Sequence, residues 1–206
     1  MQTTSDIANF ALAALGAGQI NSISDSGDAA ILCSNWVADA IEAVLLEGQF
    51  QAHIKRTQLL PTGTGIDDYL YTYELPNDLV TIISLLETSS LGNAMVTSVP
   101  MFSISTPQIN GIETGFYLES GKMYANYSPV VLKYLATPTN LGDMSLYVGH
   151  AIGYKLAGIV GPGLSVEPQK LAWVESKYKE SLGMAGRFEK RDRRTPRPYR
   201  KWGDPA

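Results

Sequence analysis

The sequence predicts an α+β protein, mainly helical, and three observations carry that reading. Apolar residues recur at helical spacing near both ends of the 206-residue chain. They switch to a strand period in the middle. From Gly186 onward the chain has almost no aliphatic side chains. The expected architecture is an antiparallel-type helical bundle built from both chain ends, an inserted β-sheet region and an extended basic C-terminal arm. In residues, a body over 1–185 holds helices over 5–15, 26–48, 145–160 and 166–183 and a β-rich insertion over 53–138. The arm covers 186–206.

The first helix rests on Ile7, Phe10, Ala11, Ala14 and Leu15. Thr4 or Ser5 is its expected cap, and Gly16 or Gly18 its left-handed stop. INSIS (20–24) crosses over in extended form. The second helix starts near Ser26, where Asp25 or Ser26 should accept from free N–H groups. Ala29, Cys33, Trp36, Ala40 and Val44 form its apolar stripe, widened by Val37, Ile41 and Leu45, and Asn35, Asp39 and Glu42 form its wet side.

In the middle, Tyr69, Tyr71, Tyr73 and Leu75 alternate with Leu70, Thr72 and Glu74, the period of a half-buried strand. VTIISLL (80–86) is nearly continuous in apolar residues and reads as a more buried strand. FYLESGKMYAN (116–126) sets Ser120-Gly121 between two strand-like runs, a hairpin signal. VVLKYLA (130–136) is expected beside it. Thr88 to Gly115 is rich in Ser, Thr, Gly, Asn and Pro and reads as a long loop, of the kind that serves function or a partner.

Helical spacing returns at Leu146–Val160, where Gly149, Gly153 and Ala157 give a smooth flank for a close neighbour. GPG (161–163) breaks the chain. A fourth helix follows with Leu171, Val174, Tyr178 and Leu182 on one side, Glu175 and Lys179 as an i,i+4 pair, and Gly183 and Gly186 as its expected stop.

The chain carries a net charge of −4 that is unevenly spread. Residues 186–206 hold eight basic and three acidic side chains, a net of +5, which leaves −9 for residues 1–185. That split implies an acidic body with a basic arm that meets something else. Few aliphatic residues and three prolines mean the arm builds no core of its own. Three roles remain open for it: a solvated end, nucleic-acid binding with Tyr199 and Trp202 stacking on bases, or docking into a protein groove.

Chemistry is hard to find. The single cysteine, Cys33, excludes an internal disulfide and a multi-thiolate metal site, and it reads as a small buried residue. His53 and His150 have no metal-ligand spacing to another His, Cys or carboxylate, so structural roles are expected. Asp67-Asp68 follows a Gly-Thr-Gly-Ile turn, where turn chemistry accounts for aspartate. Gly63-Thr64-Gly65 lacks the Gly-Lys-Ser/Thr ending of a phosphate loop. The expectation is a protein that is not an enzyme, with no cofactor and no metal. MQTTSD lacks the basic start of a signal peptide, and the apolar runs are short, so a soluble protein made in a cytoplasm, with no membrane partner, is expected.

The ordered series of these pieces resembles the tail tubular protein A family, the head-to-tail adaptors (connectors) of short-tailed bacteriophages. IANFALAALGAGQINSISD leads into DAAILCSNWVADAIEAVLLEGQF; YELPNDLVTIISL, FYLESGKMYANYSPVVLKYLA and HAIGYKLAGIVG with its following helix come next. The resemblance spans most of residues 5–184. It implies a structural virion protein in the tail, assembled in the host cytoplasm: a homo-oligomeric ring of twelve copies that joins the portal protein to the tail nozzle protein, with a tail fibre as a further possible neighbour, and leaves a channel for genomic DNA. It implies a portal-docking arm with Arg187, Phe188, Arg191, Arg193, Arg194, Arg197, Tyr199, Arg200 and Trp202. It implies a tail-facing loop with Asn93, Met95, Phe102 and Ile109. The alternative is a nucleic-acid-binding protein that uses the Arg-rich arm.

Overall fold

The computed structural model describes residues 3–87, 116–126 and 128–192. The fold is mixed helix and sheet, with four α-helices and two antiparallel sheets among these residues. They fall into two compact units, one from the described parts of 1–52 and 138–206, the other from those of 53–137.

The helical unit opens with α1 (Thr4–Leu15). Its cap is Thr3, one residue before the expected position. The Thr3 hydroxyl accepts from the Asp6 N–H at 3.1 Å, and the Asp6 carboxylate accepts from the Thr3 N–H at 2.8 Å. This reciprocal capping box satisfies two free donors and holds the Asp6 carboxyl below its ordinary range. Gly16 ends the helix at φ 72°, a left-handed conformation that suits glycine.

Helix α2 (Asp28–Gly48) starts two residues later than expected, with Gly27 at its N-cap and no side-chain cap. Asp25 is spent inside the preceding loop, where it accepts from the Asn21 and Ser22 N–H groups at 2.9 and 3.0 Å. Its buried stripe is Ala30, Cys33, Val37, Ala40, Ile41, Val44 and Leu45. The expected stripe is thus rotated: Ala29 is half-buried and Trp36 is exposed.

Helix α3 (Leu146–Val160), capped by the Ser145 hydroxyl on the Val148 N–H, is the hub. It packs against α1, α2 and the fourth helix, whose contacts with one another are sparse. The smooth flank does what its spacing predicts. A Cβ on Gly153 would come within 2.4 Å of the Phe10 ring, so α1 approaches α3 as closely as glycine allows.

After a 3₁₀ turn at Pro162–Leu164, α4 runs over Pro168–Asp192. This corrects the expected end at residue 183 and the expected extended conformation from 186. Gly183 and Gly186 lie inside the helix, and Gly186 to Asp192 continue it. Two glycines cost helix propensity, but the buried residues Val174, Tyr178, Ser181 and Ala185 keep one face docked through them. The Glu175–Lys179 pair forms at 2.7 Å.

The second unit is a pair of sheets, where a single β region was expected. Strands β1 (Ile54–Leu59), β2 (Gly63–Thr64), β3 (Tyr71–Glu74), β4 (Leu79–Glu87), β5 (Phe116–Glu119), β6 (Lys122–Ala125) and β7 (Val130–Ala136) give a three-stranded sheet, order β1-β7-β4, and a four-stranded sheet, order β2-β3-β6-β5. Tyr73, Met123 and Ala125 from one sheet and Ile82, Leu85, Leu132 and Tyr134 from the other share a single core. Two half-apolar sheets bury their inner faces this way.

The β5–β6 hairpin turns at Ser120 (φ 51°) and Gly121 (φ 76°), the left-handed pair such turns require. VVLKYLA does not follow as the neighbour of β6. It is the central strand of the other sheet, between β1 and β4, and it is more buried than VTIISLL. That segment forms the edge strand β4, which passes β7 with two register shifts, between Leu79 and Thr81 and between Ile82 and Ser84. Bulges at an edge absorb extra residues and break the two-residue alternation.

Candidate functional site

Three places in the helical unit carry the features that sequence reasoning singled out: the elbow between α1 and α2, the link between α2 and α4, and the far end of the α3–α4 pair. The elbow is pinned by Asn9, a residue that sequence reading missed. Its amide donates to the Ile20 carbonyl at 2.9 Å and accepts from the Ile20 N–H at 2.9 Å. The Ile23 N–H donates to the Ser5 hydroxyl at 3.3 Å. So α1 clamps the loop through two of its own polar side chains. Asn at mid-helix was the available signal, since a helix disfavours it unless its side chain bonds elsewhere. An open cleft of about 500 Å³ lies along Gly18–Ala30.

The second place joins α2 to α4. The Tyr178 hydroxyl donates to the Glu47 carboxylate, and the Lys155 ammonium lies over the Tyr178 ring at 5.0 Å. Burial, and then the Glu47 carboxylate beside it, push the Tyr178 hydroxyl's pKa well above its ordinary value. Glu47 is exposed yet bonded.

At the third place Phe188 of α4 meets Tyr147 of α3, ring centroids 5.7 Å apart. Both rings remain open to solvent, as do Leu146 and Met184. Arg187 is exposed beside them. Of the residues assigned to the basic arm, Arg187, Phe188 and Arg191 therefore belong to α4. Arg193, Arg194, Arg197, Tyr199, Arg200 and Trp202 lie outside the described residues, and so do Asn93, Met95, Phe102 and Ile109 of the loop.

The candidate chemical groups each have a local structural setting. Cys33 is buried, and burial pushes its thiol up. His150 stacks on Phe10, centroids 4.7 Å apart and planes within 9°. His53 is buried in a 3₁₀ turn. Asp67 sits in a turn at φ 50°. Gly65 donates to the Leu70 carbonyl at 2.9 Å, closing a turn rather than a phosphate cradle. In the β unit, Asp78 accepts from Lys55 at 2.6 Å and from the Tyr134 hydroxyl at 3.0 Å, which holds its carboxyl low, Lys55 being the larger cause. Among the described residues no group of three or more His, Cys, Asp or Glu is arranged to hold a metal ion.

One surface feature departs from the short-run reading of the sequence. Helix α2 is long and apolar enough to cross a membrane by length and composition, with a mean hydropathy of 1.6 over its best window. Only 33% of that window is buried. The acidic residues scattered along it broke the run and hid it from inspection. No protein-family model matches this chain, and no curated protein matches it.

Proposed function

We propose that this chain is a structural virion protein, a head-to-tail adaptor whose copies form a ring between a portal and a tail nozzle and surround the DNA channel. The observation that carries the reading is the helical unit itself. Helices from both ends of the chain close around α3, and the last of them runs directly into the basic C-terminal segment. A helix whose sequence continues into a cationic segment suits an element that docks on another protein of the assembly. The charge of the body, −9 over residues 1–185, suits a conduit, because like-charged walls discourage DNA from sticking. The twelve-fold copy number, the portal, the nozzle, the tail fibre and the virion location come from the family resemblance and are part of the proposal.

Truncation after Asp192 tests it. This cut spares the whole of α4, so the body keeps its fold. Portal rings incubated with the intact chain should gain an added ring by electron microscopy, and rings incubated with the truncated chain should not. Attachment that survives the truncation, or an intact chain that never attaches, would overturn the adaptor reading. Salt-sensitive binding of the intact chain to DNA, lost on truncation and with no portal attachment, would favour the nucleic-acid alternative.

A further inference from the structure

Two exposed apolar surfaces of the helical unit differ in charge. The outer face of α2 presents Ile31, Trp36 and Leu46, each more than two-fifths exposed (47%, 43% and 41%). Asp28, Asp39 and Glu42 are exposed among them, and α2 holds no Lys or Arg. Ile31, Asp39, Glu42 and Leu46 recur at the spacing that sets side chains on one face of a helix. The second surface is the end of the α3–α4 pair. Leu146 and Tyr147 open α3, and Met184 and Phe188 lie one turn apart on α4, joined to them by the Tyr147–Phe188 ring contact. Arg187 is exposed there, and α4 continues into the basic sequence.

We propose that these surfaces bind each other between copies: the outer face of α2 in one molecule is covered by the Leu146–Tyr147–Met184–Phe188 end of the next. Charge favours this pairing. Two α2 faces would bring six carboxylates together, which repel, whereas the α4 end offers the exposed Arg187 guanidinium. Opposite faces attract, and their apolar residues supply the area that leaves water. A contact between unlike faces leaves one of each free on every growing chain, so it propagates and closes into a ring when the rotation allows. The proposal rests on the ring reading for what the contact is for, and it names the faces that make the ring. A lipid bilayer is the rival cover for α2, but three carboxylates on the exposed face oppose insertion.

Cross-linking tests the contact. In a Cys33→Ala background, Asn35→Cys marks the α2 face and Met184→Cys marks the α4 end; both positions are exposed, so the fold is retained. A short bis-maleimide is applied to free protein at high concentration and to protein bound to portal rings. Each single variant should stay uncoupled, their mixture should give one dimer, and the double variant a ladder. Adding Asp39→Lys with Glu42→Lys to the Asn35→Cys chain should cut the dimer yield roughly tenfold. Coupling of Asn35→Cys to itself, no dimer from the mixture in either setting, an unchanged yield after charge reversal, or flotation of the chain with anionic-lipid vesicles would each overturn the proposal. Portal attachment without the cross-link would sink this contact alone. The cross-link without portal attachment would leave the contact standing and sink the adaptor reading.

Discussion

The Tyr178 hydroxyl donates to the Glu47 carboxylate and so ties α4 to the last turn of α2, residues 131 positions apart in the chain. The link has a pH signature. Burial first, and the Glu47 carboxylate second, raise the Tyr178 pKa above its ordinary value of 10.0. The folded state therefore favours the neutral phenol. Its contribution is fully present below about pH 10, where the unfolded chain's tyrosine is also protonated, and it is lost as pH rises beyond that toward the folded value. Tyr178→Phe keeps the ring under Lys155 and removes only the donor. The variant should lose about 1 kcal/mol near neutral pH and show a shallower decline above pH 10. Thermal melts of both proteins from neutral to strongly alkaline pH read both effects. Equal melting temperatures near neutral pH would show that the bond carries no stability, and equal alkaline slopes that Tyr178 does not carry the pH dependence.

Gly153 and Phe10 make a close approach between α1 and α3. A methyl group at Gly153 would sit 2.4 Å from a Phe10 ring carbon and 3.1 Å from the next. Two effects of Gly153→Ala oppose each other. Alanine is the better helix former by about 1 kcal/mol. Overpacking against a ring that is itself stacked on His150 at 4.7 Å and edge-on to Tyr154 at 5.0 Å costs about 1–3 kcal/mol. The ring has neighbours on two sides and little room to retreat, so the net change should be destabilising. Phe10→Leu should relieve it in the double variant. A denaturant double-mutant cycle gives the coupling, and additive single effects would mean that the helices are not in contact at this point.

The elements that sequence reasoning placed well are those in which one periodic signal meets one strong punctuation mark. Thr3 to Gly16 is such a case, as are Ser145 to Val160 and the Ser120-Gly121 hairpin. The misplacements share a cause in long-range packing. Trp36 was set in the core by spacing, yet the docking direction of α2 on α3 turns it outward while Val37, also in the expected stripe, is buried. VVLKYLA follows a hairpin closely, and sequential strands commonly pair, but its place beside β1 is decided by partners 71 to 81 positions earlier, such as Leu59 for Val130 and Ile54 for Leu135. The C-terminal segment was legible in composition, as basic and aromatic. Its first part was misjudged in conformation, because glycine was taken as a stop where a docked face carries the helix onward.

That last point has a direct consequence for Gly183 and Gly186. Both lie within α4, and a Cβ on either would meet nothing within 4 Å. Neither has the positive φ that would penalise a side chain. Replacing each with alanine should therefore stabilise the helix by about 0.5–1 kcal/mol per site, through the lower entropy cost of ordering alanine. A helix that ended at either glycine in a left-handed cap would respond the opposite way, since alanine there is strained. Circular dichroism of the single and double variants, with thermal melts, separates the two cases by sign. A gain in helicity and in Tm fits α4 running through to Asp192, and the added rigidity should reach Arg187 and Phe188. A loss in both would place the end of the helix at the glycines and would detach Phe188 from Tyr147.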